Sequence, residues 1–356
     1  MGVVIREADL ERDRQVMVDL LRSTRGHDEA SHPYEARAEW LYLKNPAGRA
    51  TAWLVADEKT GQAAGFTVGL PRRMRVEGRD RTCWNCGDFS IAVKYRTLGV
   101  AAKLRRGAKE SVDAGRVDFL YAHPNERMLS VHQQVGHHVI GRMERYAKPL
   151  RARTRVIARL GRGVIGRGVA TAADAALALL SSGRMTHKEY DWEVRPAVEF
   201  GDEFADLYAR TAGRWPVSGV RDGVYLRWRY GENPLHRSEV LHLRTRAGRL
   251  AGWIVFSLDE YERTMRVYDL LCESEDGLAA DMVRLLAREA RRRGAETLSS
   301  IAFAGSGYVE DLRIAGLRPR ADATSSVVAY APAEGDLART VLDGTKWYMT
   351  VGDRDV

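Results

Sequence analysis

The 356-residue sequence is poor in cysteine, with three, and poor in lysine, with eight. Three thiols cannot build a disulfide framework, and an odd number argues further against an oxidising compartment. Cys83 and Cys86 form a lone C-x-x-C, whereas zinc needs two more ligands and no second pair stands at a useful spacing. Only His123, His137 or His138 could complete such a site in three dimensions, so no metal is expected and both thiols read as strand cysteines. The sequence also lacks any run of eighteen apolar residues, and its charged start, Met1-Gly2-Val3-Val4-Ile5-Arg6-Glu7, lacks the apolar core of a signal peptide. A cytoplasmic protein without stable membrane insertion is the expectation. Hydrophobic residues at 45% and charged residues at 29% exclude disorder along most of the chain, and the length suits two domains.

With so few lysines, 48 of the 56 basic residues are arginine. That skew reflects GC-rich coding and weakens any argument that each arginine was chosen for phosphate. The net charge of +8 suits an anionic partner without identifying it. Arg151, Arg153, Arg155, Arg159, Arg162 and Arg167 fall in one stretch, with no acid between Glu144 and Asp174. Such a run reads as a solvated face or linker, with nucleic acid or anionic lipid as alternatives. The segment from Val169 to Leu180 is apolar nearly all round, which predicts a helix buried between domains; a membrane-surface role is disfavoured because Trp and Phe anchors are missing.

What the chain does contain is a repeat. Trp40-Leu41-Tyr42-Leu43-Lys44-Asn45-Pro46 reads W-x-Y-x-x-N-P, as does Trp228-Arg229-Tyr230-Gly231-Glu232-Asn233-Pro234, 188 residues later. Gly65-Phe66-Thr67-Val68 is matched by Gly252-Trp253-Ile254-Val255, a strand carrying Asp88 by one carrying Asp269, and a helix ending at Gly136 by one ending at Gly316. Four ordered matches indicate two copies of one domain. Within the first copy, Asp9 to Ser23 has helical spacing, and Ala52 to Ala56, Ala64 to Leu70, Met74 to Val76 and Phe89 to Val93 read as successive strands. Gly99 to Ala114 is the next helix, Val117 to Ala122 a buried strand, Asn125 to Val135 a helix and Val139 to Tyr146 a closing strand. The order βα-βββ-α-β-α-β predicts an α/β fold, a mixed and largely antiparallel sheet flanked by helices.

The strand ending at Val93, the turn Lys94-Tyr95-Arg96-Thr97-Leu98 and the helix starting near Gly99 leave free amides from about Leu98 to Ala101 at a helix start, an anion site. Gly99 allows close backbone approach, and the small Ala101 leaves room. Arg96-Thr97-Leu98-Gly99-Val100-Ala101 resembles the pyrophosphate loop [Q/R]-x-x-G-x-[G/A] of the GNAT superfamily of acyl-CoA-dependent N-acyltransferases, and the element order resembles that of a GNAT domain. The resemblance covers residues 3 to 146 and, through the repeat, about 195 to 332, so the chain is similar to tandem GNAT proteins. Of the family's later motif N-x-x-[AS]-x-x-Φ-Y-x-x-x-G-F, Asn125, Val131 and Gly136 match, while Met128, His132 and His137 depart from it.

The resemblance implies an acyl-CoA-binding and catalytic domain over 1–150, a basic and then apolar connector over 151–190, a second GNAT-like domain over 191–340, and a strand or tail over 341–356. The second copy has Cys272-Glu273-Ser274-Glu275-Asp276-Gly277-Leu278 at the loop, with acids where pyrophosphate would sit, which suggests a structural or substrate-shaping copy. The co-substrate implied is acetyl-CoA or another acyl-CoA, held by Ile91, Ala92, Val93, Arg96, Thr97, Leu98, Gly99, Val100, Ala101 and Asn125. His132 stands where the family's thiolate-protonating tyrosine would be, and an imidazole titrating near neutrality can donate. Asp88 is the first candidate base, provided that burial raises its pKa, and His123 competes for the role. Asp353 and Asp355, in a polar terminus expected to fray, are further candidates for base or acceptor binding.

The first functional expectation is therefore acyl transfer from CoA to an amine of a small or sugar-like acceptor. A Fem-type transfer from aminoacyl-tRNA keeps the fold and could use the 151–167 arginines, but the intact pyrophosphate loop argues against it. A non-catalytic module that senses acyl-CoA is the third. No DNA partner is expected, and the sequence does not specify an oligomer.

Overall fold

The apolar spacing of the first copy is realised in the computed structural model, which describes residues 2–26, 32–96, 99–181, 185–273, 276–332 and 335–355. The first half runs β1 (Val3–Glu7), α1 (Leu10–Arg25), α2 (Tyr34–Ala38), β2 (Thr51–Asp57), β3 (Ala63–Val76), β4 (Arg79–Ile91), α3 (Val100–Asp113), β5 (Phe119–Ala122), α4 (Glu126–Gln134) and β6 (His138–Pro149). A connector holds α5 (Arg153–Leu160) and α6 (Val164–Ser181). The second half runs β7 (Asp191–Pro196), α7 (Asp202–Thr211), β8 (Val217–Gly219), α8 (Gly223–Leu226), β9 (Glu239–Arg244), β10 (Leu250–Asp259), β11 (Thr264–Cys272), α9 (Leu278–Arg292), β12 (Thr297–Phe303), α10 (Tyr308–Ile314) and β13 (Arg318–Tyr330). After it come α11 (Asp336–Val341) and the two-residue β14 (Trp347–Tyr348).

All strands belong to one mixed sheet, whose main path is β1-β2-β3-β4-β5-β13-β6-β12-β11-β10-β9-β7. The halves exchange their last strands. β13, from the second half, lies between β5 and β6 of the first, antiparallel to both, and β6 in turn pairs antiparallel with β12. One hydrophobic cluster consequently runs through both halves, from Met17, Leu21 and Phe66 to Trp253, Leu286 and Leu312.

The repeat motif sits at the junction of the halves. Each W-x-Y falls in a single π-helical turn, Glu39–Leu43 or Arg227–Gly231. Trp40 Nε1 donates to the Trp228 carbonyl at 2.8 Å, and Trp228 Nε1 donates to the Trp40 carbonyl at 3.1 Å, with ring centroids 5.0 Å apart. A buried indole N–H needs an acceptor, and here each copy supplies the other's. The motif tyrosines turn to the strand aspartates: Tyr42 donates to Asp88 at 2.6 Å and Tyr230 to Asp269 at 3.0 Å.

Three features differ from the sequence expectations. Ala64 to Val76 is one strand, not two: Pro71 pairs with Trp84 of β4, and its other edge, whose carbonyl accepts from Asn45 Nδ2 at 2.8 Å, falls between Gly69, the last residue paired with β2, and Met74, the first paired with β8, where no strand needs its missing N–H. The apolar helix α6 lies on the surface: from 169 to 178 only Ala170 is buried and Val169 is 44% exposed, since strand exchange and the tryptophan pair already fill the junction it would have covered. The polar terminus does not fray. After β14, which pairs with β8, it makes a turn over Val351–Asp353 with Val351, Gly352 and Asp353 buried.

Candidate active site

β4 and β5 run parallel and pair only from Cys83–Phe119 to Asn85–Tyr121. Beyond that point β4 continues to Ile91 while β5 stops at Ala122, so the strands part. The gap opens a cleft of about 510 Å³, whose lining includes Arg25, Cys86, Asp88, Phe89, Arg105, His123, Asn125, His132 and Asp355. Sequence candidates spread over 267 positions thus share one cavity.

On α3 the cleft is lined by Arg105, one turn beyond the helix start. Gly99 caps that helix at φ +65°, and among the described residues no side chain caps it and a Cβ there would meet nothing within 4 Å. The uncapped amides and open space suit the anionic pyrophosphate of a CoA. Around them, Val93 is 74% exposed, Val100 is buried and Ala101 half-buried. Arg96 Nε donates to the Ile91 carbonyl at 3.1 Å, and the Ala92 amide is committed to the Ala64 carbonyl at 2.8 Å, so neither the Ile91 carbonyl nor the Ala92 amide is free for a ligand. Thr97 and Leu98 lie outside the described residues. Asn125 caps α4, its Oδ1 accepting from the Met128 amide at 3.0 Å.

Asp88 sits in a bulge of β4 at φ +31° and accepts from Arg25 Nη2 at 2.8 Å, Arg37 Nη1 at 2.5 Å and Tyr42. Burial alone would raise its pKa, but the two guanidiniums and the hydrogen bonds from Arg37 and Tyr42 outweigh burial and hold the carboxyl at about 2. That corrects the expectation of a base with a raised pKa: Asp88 stays ionised and clamped. The histidines also depart from expectation. Burial, followed by the charge of Arg354, takes His123 down to about 3. Burial, Arg105 and His137 push His132 far below the ordinary imidazole value. A neutral His132 at pH 7 is a poor proton donor, which corrects its assignment as an imidazolium acid.

Asp353 is buried against Arg72 at 3.1 Å and Arg221 at 2.6 Å, and these charges override burial and lower its pKa. It is a tie between halves and is not available as a base. Asp355 is different. Its carbonyl accepts from Arg37 Nη2 at 2.7 Å and its Oδ2 from the Asp88 amide at 3.3 Å; Arg37 and Arg354 feel its charge, but among the described residues its carboxylate is in no ion pair. A Cβ at Gly87 would lie 2.6 Å from Asp355 Oδ2, so glycine there makes room for that carboxylate. Arg25, Arg37 and Arg105 are site residues that the sequence reading missed; the recurrence of a motif tyrosine and a strand aspartate in both repeats was the signal for the Asp88 cluster.

The equivalent gap in the second half is narrower, a cleft of about 250 Å³. β11 and β12 pair from Thr264–Thr297 to Val267–Ser300 and then part, but Thr350 bridges to Ala302 and donates to Asp269 Oδ1 at 2.8 Å. Tyr348 is buried there, stacked on Trp215 with centroids 4.0 Å apart, and donates to the Leu270 carbonyl. Glu273, before α9, is ion-paired with Arg210 and Arg249.

No protein-family model matches the chain, and no curated protein matches it. Solved structures do. A GCN5-related N-acetyltransferase from Anabaena variabilis superposes with a TM-score of 0.66 at 13% identity, over 93% of this chain and 73% of that one. One from Kribbella flavida gives 0.60 at 13%, over 96% and 72%. The Saccharomyces cerevisiae N-myristoyltransferase with bound myristoyl-CoA gives 0.59 at 11%, over 98% and 89%. The chain has a tandem GNAT fold. Within this tandem GNAT fold the cleft of the first half, about 510 Å³, is about twice the size of its counterpart in the second, about 250 Å³. The described residues contain no cluster of three or more metal-ligating side chains and no helix long and apolar enough to cross a membrane.

Proposed function

We propose that this protein transfers an acyl group from an acyl-CoA to an amine, with the chemistry in the first half and a structural, acceptor-shaping role for the second. The observation that carries this reading is the β4–β5 cleft walled by β4 and α3, the helix whose start has no side-chain cap among the described residues, beside a second copy whose cleft is narrower and lined by Tyr348. Gly99, Val100 and Ala101 would face the pyrophosphate, Val93 would pack on the pantetheine arm, and the cleft would hold the thioester. The acyl-CoA supplies an activated carbonyl. Asp355, held by Arg37 and the Asp88 amide, would bind the acceptor's ammonium and take its proton, leaving the neutral amine needed for attack. Asp88 acts through Arg37 as a positioning residue that fixes the tail.

The test incubates the purified protein with acetyl-CoA and pooled primary amines, following thiol release, with aminoacyl-tRNA run in parallel. Amine-dependent thiol release is the expected result. Transfer from aminoacyl-tRNA, with tRNA binding that falls steeply with salt and disappears when Arg153, Arg159, Arg162 and Arg167 become alanine, would replace it with the tRNA-dependent reading. Acyl-CoA binding without turnover would leave the sensor reading.

A further inference from the structure

The inner wall of the cleft gathers polar atoms that have nothing to bond. Arg105, on the second turn of α3, is 1% exposed, and its Nε and Nη1 have no hydrogen-bond partner among the described residues. Nδ1 of His132 is likewise without a partner among the described residues, and the His137 ring packs edge-on against His132 with centroids 4.6 Å apart. No carboxylate forms an ion pair with Arg105 among the described residues; its guanidinium lies 5.3 Å from the Phe89 ring centroid and beside the Cys86 thiol. A buried guanidinium without a counter-charge is strongly unfavourable, and so are buried donors without acceptors.

The second half supplies an internal control. Aligning the helix-capping glycines, Gly99 with Gly277, puts Val283 at the place of Arg105. Aligning the closing glycines, Gly136 with Gly316, puts Leu312 and Leu317 at the places of His132 and His137. Val283, Leu312 and Leu317 are each fully buried. The fold is therefore satisfied by aliphatic residues at these three positions, and the half with the larger cleft replaces them with a cation and two imidazoles. Stability does not explain the replacement; a ligand does.

That ligand is anionic and small. Arg105 offers only donors, the imidazoles add no negative charge, and the planar guanidinium fork matches a carboxylate. Arg105, Cys86 and Phe89 belong to α3 and β4, the two elements that form the acyl-CoA groove, which places the carboxylate on the donor. We propose that Arg105 receives the free carboxylate at the far end of a dicarboxylic acyl group, so that the preferred donor is a succinyl- or malonyl-type CoA thioester. This inference rests on the acyl-CoA reading above.

The test compares calorimetric affinities for succinyl-CoA and butyryl-CoA, which differ by a carboxylate in place of a methyl group, with acetyl-CoA and free succinate as further arms. The wild type should prefer succinyl-CoA over butyryl-CoA by about 10- to 100-fold, the range of a charged hydrogen bond. Arg105→Met should bring that ratio near one, weaken succinyl-CoA more than acetyl-CoA, and raise the melting temperature of the ligand-free protein, which a merely structural arginine would not do. Arg105→Lys, which keeps the charge and loses the fork, should keep part of the preference, and it carries the ratio test if the methionine variant does not fold. Equal wild-type affinity for the two thioesters, or an equal loss for both in Arg105→Met, overturns the inference while acyl-CoA binding stands. An Arg105-dependent response to free succinate without discrimination between the thioesters moves the carboxylate to the acceptor and overturns the assignment to the donor. Failure of every CoA thioester to bind overturns the acyl-CoA reading and this inference with it.

Discussion

Asp88→Asn separates a clamp from a base. The carboxylate neutralises Arg37, whose side chain is only 7% exposed, and Arg25, and it accepts from Tyr42. Removing one member of a buried ion pair and leaving the other costs about 3–5 kcal/mol. With an unfolding entropy of about 2.1 cal/mol/K per residue, a cooperative chain of this length loses about 1.3 °C per kcal/mol, which predicts a fall in Tm of about 4–7 °C. The pH dependence gives an independent check. Asp88 titrates at about 2 in the folded protein against an ordinary 3.8, a difference of about 2 kcal/mol. Because the folded value is the lower one, that stability is complete above the ordinary value and is lost as pH falls through about 2. The gap between wild type and variant, read by urea unfolding, should therefore narrow by about 2 kcal/mol as pH drops from 5 towards 2. A variant that melts within about 1 °C of wild type, or a gap that stays constant over that pH range, refutes the clamp.

Gly99→Glu should abolish the acetyl-CoA-induced rise in Tm by placing a carboxylate in the cradle at the start of α3, while Gly277→Glu should keep it; the reverse pattern in thermal melts would assign the donor to the second half. Asp355→Asn should lower turnover by about 10² to 10⁴ with acetyl-CoA affinity unchanged, and the loss should shrink as rising pH leaves more of the amine neutral; near wild-type rates would remove Asp355 from the mechanism. Trp228→Phe strips the Trp40 carbonyl of its donor and should cost about 1–3 kcal/mol, lowering one cooperative calorimetric transition without splitting it. Two resolved transitions would show that the halves melt independently.

Local chemistry made much of this legible from the chain alone. The W-x-Y-x-x-N-P repeat exposed the duplication because both copies use the same tyrosine-to-aspartate bond, and the strand-turn-helix around Gly99 follows from short-range spacing. What stayed hidden depends on partners distant in sequence. The state of Asp88 is set by Arg25 and Arg37, 63 and 51 residues away, and its amide meets Asp355, 267 residues on. His132 titrates low because burial and Arg105 act on it, and neither shows in a helix motif. The surface position of α6 follows from a junction already filled by other strands, which no reading of one segment's hydrophobicity reveals.

The exchanged strand also sets a timetable for biosynthesis. β5 ends at Ala122, but its neighbour on one side, β13, begins at Arg318, about 200 residues later. At a synthesis rate of about 5–20 residues per second, the nascent first half waits about 10–40 s with an unpaired strand edge before the chain that completes it has been made. During that interval it cannot fold as a finished unit, so a nonsense mutation anywhere in the second half should leave an aggregation-prone stub where a beads-on-a-string protein would leave one working bead. The arrangement makes folding of the CoA-binding half conditional on translation of nearly the whole message.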